Sequence, residues 1–183
     1  SYYDKHCGRH PEMGAVSFRN SEPLAYDNIY FHDYHGWRKT LPNAMEAYNR
    51  FTARKTEILR AVSFYTAADS AEYRITVYSS CNESGLSGIL AEKRGMIPNT
   101  GFHTLDLQRP PMIQEGKDFY IYLYLSRGGH PYDCSKEVEV LLGATTSGVM
   151  VESRAKPGQS FYKFNNTWKD LTTVDTTANF CIK

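Results

Sequence analysis

The sequence predicts an all-β domain, an antiparallel β-sandwich of the jelly-roll type. Short segments with alternating or continuous apolar residues recur along the chain, and turn-forming residues separate them. Aromatic residues make up 14% of the chain, with 14 Tyr against 2 Trp. Aromatic rings pack well on a pleated sheet, and Tyr also keeps a polar tip in water. Many short strands with frequent turns are typical of two packed antiparallel sheets.

The chain is predicted to hold one domain that follows a tail. Residues 1–25 show no sustained hydrophobic period and are interrupted by glycine and proline, so we interpret them as a tail or linker. The folded domain is expected over residues 26–183, which is long enough to bury one core without metal or disulfide support.

Strands are predicted for the segments that combine β-branched, aromatic and alternating apolar residues. In chain order they are 58–66, 73–79, 102–107, 119–125, 138–142, 149–153, 160–164 and 178–183. The one helical candidate, NAMEAYNRF at 43–51, is too short to be stable alone and could be extended instead. Pro110 and Pro111 cannot donate ladder hydrogen bonds, so the chain is expected to leave the sheet there.

Net charge and hydropathy exclude two classes of partner. Lys plus Arg number 21 against 20 Asp plus Glu, a formal charge of +1, and no basic block is long enough to bind a phosphate backbone. Nucleic acid is therefore not expected as a partner. No apolar run approaches the roughly 20 residues that span a bilayer, so membrane insertion is not expected either.

The four cysteines, Cys7, Cys81, Cys134 and Cys181, lack the C-x-x-C spacing of zinc or redox sites and allow three complete pairings. If a disulfide forms, we favour Cys81 with Cys134, because each follows a predicted strand in a turn-rich stretch. Cys181, between Phe180 and Ile182, is predicted to be a packed thiol.

Several stretches resemble the lectin-like domain at the C-terminal end of papain-like cysteine peptidases of bacteria and archaea. They are YDNIYFHDYHGW, AYNRFTARKTEILRAVSFYT, YRITVYSSCNESGLSGIL, GFHTLDLQRPPMIQEGKDFYIYLYL, GQSFY, TWKDL and ANFCIK, which together span nearly all of 26–183. The opening SYYD resembles the last strand of a papain-like catalytic domain, which would make residue 1 a position inside a larger enzyme. The loop HDYHGW departs from the family pattern, where a Pro-containing loop is expected.

The resemblance implies a non-catalytic accessory module of a secreted or cell-surface peptidase. The family's nucleophilic cysteine lies in a Q-x-x-x-C-W context that is absent here, and its His and Asn would precede Ser1. No catalytic residue is therefore assigned. The implied partners are a glycan or cell-surface polymer and the module's own papain-like catalytic domain. The alternative is a structural module that packs on the catalytic domain and binds no ligand.

The loop FHDYHGW at 31–37 is the first candidate binding site, with Asp33, Tyr34, His35 and Trp37. It could ligate a metal, contact a glycan or peptide, or pack around Trp37 with Gly36 serving the turn. Two histidines three residues apart are a weak zinc signal, so no metal ligand is assigned and packing is favoured.

The second candidate site involves aromatic residues of the predicted strands. Trp168 follows the Asn165-Asn166 turn, where it could stack on a sugar whose hydroxyls Asp170 binds, or fix the hairpin to the core. The strand 119–125 places Tyr120, Tyr122 and Tyr124 on the side opposite its apolar core residues. That row could be a covered structural face, an interdomain contact or a ligand platform.

No cofactor is expected. Calcium stays open, because Asp133 or Asp170 together with backbone carbonyls could supply oxygen ligands, although the clustered acids of an EF-hand are missing.

Overall fold

The computed structural model describes Pro23 and residues 25–83, 85–139 and 148–183. The strands within these ranges are β1 Lys39–Leu41, β2 Glu46–Thr52, β3 Glu57–Ile58, β4 Ala61–Thr66, β5 Ala71–Asn82, β6 Gly85–Ile97, β7 Gly101–Asp106, β8 Met112–Ile113, β9 Asp118–Leu125, β10 His130–Asp133, β11 Lys136–Glu139, β12 Gly148–Val151, β13 Ser160–Phe164, β14 Thr167–Asp170 and β15 Asn179–Phe180. The helical content of the described part is a single 3-10 turn at Leu171–Thr173, and no helix there is long and apolar enough to cross a bilayer.

The strands form two layers. The first is a six-stranded antiparallel sheet in the order β14-β13-β2-β9-β5-β6. The second combines the sheet β1-β10-β15 with the pair β4-β7. A bridge between Phe64 and Ile182 joins these two parts, together with reciprocal backbone hydrogen bonds between Ser63 and Lys183. The predicted all-β antiparallel sandwich is confirmed.

The core lies between the layers, and strand β9 supplies one side of it. The β9 core residues, each at most 2% exposed, are Phe119, Ile121, Leu123 and Leu125. They belong to one cluster with Phe64 of β4 and Phe180 of β15. The alternation predicted for this strand is therefore confirmed, and the three tyrosines lie on the face of the six-stranded sheet that points away from the core. We call this face the outer face.

Some predicted segments have different structures. The helical candidate 43–51 is largely strand β2. The turn-rich segments 80–88 and 127–133 lie between predicted strands, but β5 continues to Asn82, β6 begins at Gly85, and His130–Asp133 forms β10. The prediction for 1–25 falls outside the described residues except for Pro23 and Ala25, and so does the end of the strand predicted at 138–142.

The disulfide predicted between Cys81 and Cys134 is not formed, since both are free thiols. The reason is their position on opposite sides of the first sheet. Cys81 packs with the tyrosines of the outer face, whereas Cys134 belongs to the core between the layers. Cys181 is a buried free thiol, as predicted, and its burial raises its pKa.

Candidate ligand-binding surface

The tyrosine row of β9 is divided between buried and accessible positions. Tyr120 and Tyr122 are 9% and 3% exposed and form a cluster with Tyr48 of β2. The side chains packed around that cluster are Tyr78, Cys81, Leu86, Tyr124, Phe161 and Trp168. Tyr120 and Tyr122 therefore have too little free surface to stack on a ligand in this structure. Tyr124, at the end of the row, is half-buried.

The distal part of the β5-β6 hairpin covers these tyrosines. The pairing of β5 with β9 ends at Tyr78 opposite Tyr120, and β5 continues to Asn82 paired with β6 alone. At the hairpin turn, a Cβ built on Gly85 would lie 3.9 Å from Trp168 Nε1. Since β14 and β6 are opposite edges of the sheet, the hairpin must fold across the outer face to reach Trp168. Trp168 thus packs on the outer-face tyrosines and the turn of the β5-β6 hairpin, outside the core cluster between the layers to which it was predicted to fix its own hairpin.

Beyond the covered part, the strand register aligns one row of charged and aromatic side chains across the sheet. From β14 to β6, this cross-strand row consists of Trp168, Lys163, Glu46, Tyr124, Arg74 and Arg94. Neighbouring strands are about 4.8 Å apart, so Trp168 and Tyr124 are separated by about 14 Å. The six members of the cross-strand row come from six strands, which include the consecutive pairs β13-β14 and β5-β6 and extend from residue 46 to residue 170.

Hydrogen bonds fix the middle of the cross-strand row. Arg74 Nη2 donates to the Tyr122 hydroxyl over 2.9 Å, and that hydroxyl donates to Glu46 Oε2 over 2.8 Å. Lys163 Nζ lies 3.2 Å from Glu46 Oε1. The hydrogen bond to Tyr122 raises the pKa of Arg74, and burial raises the pKa of Tyr122. Arg74 is therefore a permanent cation held in a defined position.

A cleft of about 690 Å³ opens where β5, β6 and β9 meet at this row. Its lining includes Tyr124, Arg74, Arg94 and Glu72. The Arg74 guanidinium lies 5.8 Å from the centre of the Tyr124 ring, within cation–π distance. The cleft thus combines an aromatic surface with fixed hydrogen-bond donors and a carboxylate, which suits a ligand that has both an apolar face and hydroxyl groups.

The entry-loop residues lie elsewhere, beside the second layer. Asp133 of β10 fixes the loop, because its Oδ2 accepts from the backbone N–H groups of Tyr34 at 2.8 Å and His35 at 3.1 Å. Gly36 has a φ of +71°, as its predicted turn requires. Trp37 packs 6.0 Å from the Tyr65 ring of β4 and donates to Thr40. The loop and the cross-strand row are therefore separate surfaces.

Within the entry loop, Asp33 is buried and forms an ion pair, so it is not available to a ligand. It is 2% exposed, and its Oδ2 lies 2.5 Å from Lys183 Nζ. Burial raises the pKa of Asp33, and the Lys183 ammonium opposes that rise. His35 Nε2 lies 2.8 Å from the Glu152 carbonyl oxygen, which can only accept, so this nitrogen carries the proton and is not free to bind a metal.

The calcium hypothesis depends on Asp133 and Asp170. Asp170 caps the 3-10 turn, accepting from Thr172 with Oδ1 and from the Gly158 N–H with Oδ2. Asp133 Oδ1 has no hydrogen-bond partner, but the described ranges contain no group of three or more His, Cys, Asp or Glu that could hold a metal. Calcium at either carboxylate stays a prediction.

Sequence reasoning identified Tyr124 and Trp168 in the cross-strand row but missed its charged members. Arg74 lies in a segment predicted as a strand, at a polar position of the alternation. The alternation therefore predicts that its side chain points away from the core, but it does not predict which residues of adjacent strands lie next to it. Glu46 and Arg94 lie in segments for which no strand was predicted. A signal for the row would have required the register of β2, β9, β5 and β6.

Comparisons with known proteins agree with the fold. A family model described as a lectin-like domain matches residues 29–183. A clostridial cysteine protease, Cwp84 after propeptide cleavage, superposes with a TM-score of 0.66 and 21% identity, covering 88% of this chain and 40% of that one. The cysteine protease and lectin-like domains of Cwp84, a surface-layer associated protein of Clostridium difficile, give 0.54 and 20%, covering 76% and 31%. This chain thus spans less than half of the matched Cwp84 chain in each structure. No curated protein matches it.

Proposed function

Because the chain belongs to the lectin-like domain family, we propose that it is a non-catalytic accessory module that binds a carbohydrate through the cleft at Tyr124. The observation that carries this proposal is the pairing of Tyr124 with Arg74 inside that cleft. The apolar C–H face of a sugar would lie on the ring and guanidinium planes. Its hydroxyls would bond to Glu72 and Arg94, as in other polar-rimmed sites.

The setting proposed for this activity is the outside of a cell, next to a papain-like peptidase domain. The two structures described above are both of the cysteine protease Cwp84, which is a surface-layer associated protein. A glycan-binding module would hold such a peptidase at a cell-surface polymer and raise the local concentration of its substrates.

A glycan array followed by calorimetry tests the proposal. For any glycan that binds, Tyr124→Ala should weaken binding by about tenfold or more, because it removes the stacking surface. Tyr34→Ala is the matched control, since Tyr34 is an exposed tyrosine of the entry loop, and it should leave the affinity unchanged. If Tyr34→Ala or Trp37→Ala removes binding while Tyr124→Ala does not, the cleft is the wrong site. If no glycan binds, the carbohydrate proposal fails.

A second candidate function is docking on the catalytic domain through the entry-loop side. Exposed aromatic rings gather there: Phe31 contacts Tyr34, and Trp37 contacts Tyr65, which contacts Phe102. Contiguous exposed apolar surface of this kind commonly marks a protein contact. The proposed occupant is the papain-like domain, since the matched protein Cwp84 has a cysteine protease domain together with its lectin-like domain.

In a tandem protein with a papain-like domain, Phe102→Ser combined with Tyr34→Ser should lower the unfolding temperature of the peptidase by about 3 °C or more. The reason is the loss of apolar contact area across the interface. Calorimetry measures the shift, and Ile89→Ser, an exposed apolar residue of β6, is the control that should have no effect. An unchanged unfolding temperature and unchanged peptidase activity in the double variant would rule out the docking role.

A further inference from the structure

A second cleft, of about 310 Å³, lies between the entry loop and the turn that precedes β13. The lining residues that matter for its chemistry are Phe31, His32, Arg50, Arg54, Lys156 and Gly158. Phe31 and His32 belong to the entry loop, Arg50 to β2, and Arg54 to the segment that follows β2. Lys156 and Gly158 belong to the turn Lys156–Gln159. The cleft and the Tyr124 cleft share no lining residue.

The turn on one side of this cleft is held in place by Gln159. The Gln159 side-chain oxygen accepts from the Lys156 N–H over 2.7 Å, and its Nε2 lies 3.1 Å from His32 Nδ1. His32 Nε2 lies 2.7 Å from the Arg50 carbonyl oxygen and must be the donor there, so Nδ1 accepts from Gln159 and the ring is neutral. Burial, which lowers the pKa of His32, favours the same state. The position of Lys156 is thus defined by a side-chain network rather than by a free loop.

The charge of the lining is positive. No Asp or Glu is among the described residues that line the cleft. The Arg50 guanidinium pairs with Asp118 at 2.7 Å, and Glu57 accepts hydrogen bonds from Tyr30 and Asn28. Among the described residues, neither Arg54 nor Lys156 has a carboxylate within ion-pair distance. Arg54 and Lys156 therefore face one concave surface without an ion pair among the described residues, and the Glu57 carboxylate, which lies outside the lining and is bound to Tyr30, interacts with Arg54 only at longer range.

The cleft also has an apolar side. Phe31 is 42% exposed, and Pro157 is a second apolar residue of the lining. Arg54 is positioned over the Tyr30 ring at 5.4 Å from its centre, and its backbone N–H donates to the Tyr30 hydroxyl. A ligand here would place a negative group between two cations and an apolar body on an aromatic ring.

We propose that this cleft is a second binding site, which takes an oxyanion, phosphate or carboxylate, carried on a saccharide. The oxyanion accepts charge-assisted hydrogen bonds from Arg54 and Lys156, and the sugar ring lies on Phe31. The site does not depend on the carbohydrate proposal for the Tyr124 cleft. A neutral glycan at Tyr124 and an acidic sugar here would together select a polymer that contains both.

Calorimetric titration of the chain tests this site with glucose 6-phosphate, glucuronate, inorganic phosphate and neutral glucose. The two acidic sugars should bind at low ionic strength and weaken as salt is added. Lys156→Gln and Arg54→Gln should each weaken binding by about tenfold, the loss expected for one charge-assisted hydrogen bond. Lys55→Gln, which removes a neighbouring exposed charge outside the lining, is the matched control and should have no effect.

Each other outcome overturns a defined part of the proposal. Equal weakening by Lys55→Gln would mean general charge attraction and no site. If neutral glucose binds as tightly as glucose 6-phosphate, the site does not recognise the oxyanion. If inorganic phosphate binds as tightly as both acidic sugars, the site does not recognise the sugar ring. If neither acidic sugar binds, the site does not exist. Tyr124→Ala should leave these affinities unchanged, which separates this test from that of the Tyr124 cleft.

Discussion

Replacement of Asn49 by aspartate should lower the free energy of unfolding by about 3–5 kcal/mol, as expected when a buried charge loses its partners. Asn49 is fully buried on the core side of β2. Its Nδ2 donates to the carbonyl oxygens of Phe180 and Ile182, each over 2.9 Å, and its Oδ1 accepts from Ser160 Oγ over 2.7 Å. One amide thus connects the first sheet to the chain end in the second layer.

Aspartate keeps the shape of this side chain but loses the donor. A carboxylate would face two carbonyl oxygens, and a protonated carboxyl could satisfy only one of them. Denaturant unfolding followed by circular dichroism measures the change. The matched control is Asn166→Asp in the β13-β14 turn, where Asn166 is exposed and has a φ of +60°, which Asp tolerates. A stability of the Asn49→Asp variant within about 1 kcal/mol of wild type would contradict this role.

Asn49 also shows why β2 was difficult to predict. In the segment 43–51 the apolar residues Ala44, Ala47, Tyr48 and Phe51 recur with helical spacing, and the strand alternation on the core side is interrupted by the polar Asn49. The structure resolves the conflict through hydrogen bonds to residues 131 and 133 positions later. Local propensity contains no information about such partners.

Strand β9 was predictable because its two faces differ chemically along the whole element. Strand β6 was not, although it has 13 residues, since it is an edge strand with glycine and charged side chains and little alternation. Strand β10 lies outside the predicted strands because HPYD contains a proline. Its four residues are buried, however, and β1 and β15 flank it on both sides.

Prediction of the binding surface was limited because local sequence does not contain the order in which the strands pair. Individual aromatic candidates could be read from the strands that carry them, and Tyr124 is one. Its neighbours in the cross-strand row depend on the order in which β2, β9, β5 and β6 pair, which only the tertiary fold defines. Likewise, the burial of Tyr120 and Tyr122 depends on a hairpin that folds across the sheet.

A second large effect is expected from acidification, through His130. This side chain of β10 is 1% exposed and packs 5.6 Å from the Phe180 ring, and its Nε2 has no hydrogen-bond partner in the described part of the chain. Burial lowers the pKa of His130 to about 4, opposed by a hydrogen bond to the Met45 backbone and by the charge of Glu46. The ordinary value is about 6.5, so between these two pH values the unfolded chain binds the proton and the folded chain does not.

The contribution of neutral His130 to the free energy of unfolding is therefore fully present above a pH of about 6.5, and it is lost as the pH falls toward about 4. Between pH 7 and pH 4.5 the wild-type chain should lose roughly 2 kcal/mol through His130, relative to a His130→Leu variant that cannot titrate there. Denaturant unfolding of both proteins at each pH measures the difference. The comparison is needed because Asp33, whose pKa burial raises, contributes in the opposite direction in both proteins.

The substitution His130→Leu removes a buried nitrogen that has no partner among the described residues, so the variant is expected to fold. Only the change of the free energy of unfolding with pH bears on the titration. Parallel pH profiles of the two proteins would show that His130 is not held neutral. A wild-type stability that rises relative to that of His130→Leu on acidification would mean that the wild type gains from protonation, which is the opposite sign. A wild-type stability that decreases relative to that of His130→Leu as the pH decreases would establish that the core between β10 and β15 excludes the imidazolium, so that acid unfolds this domain through its interior.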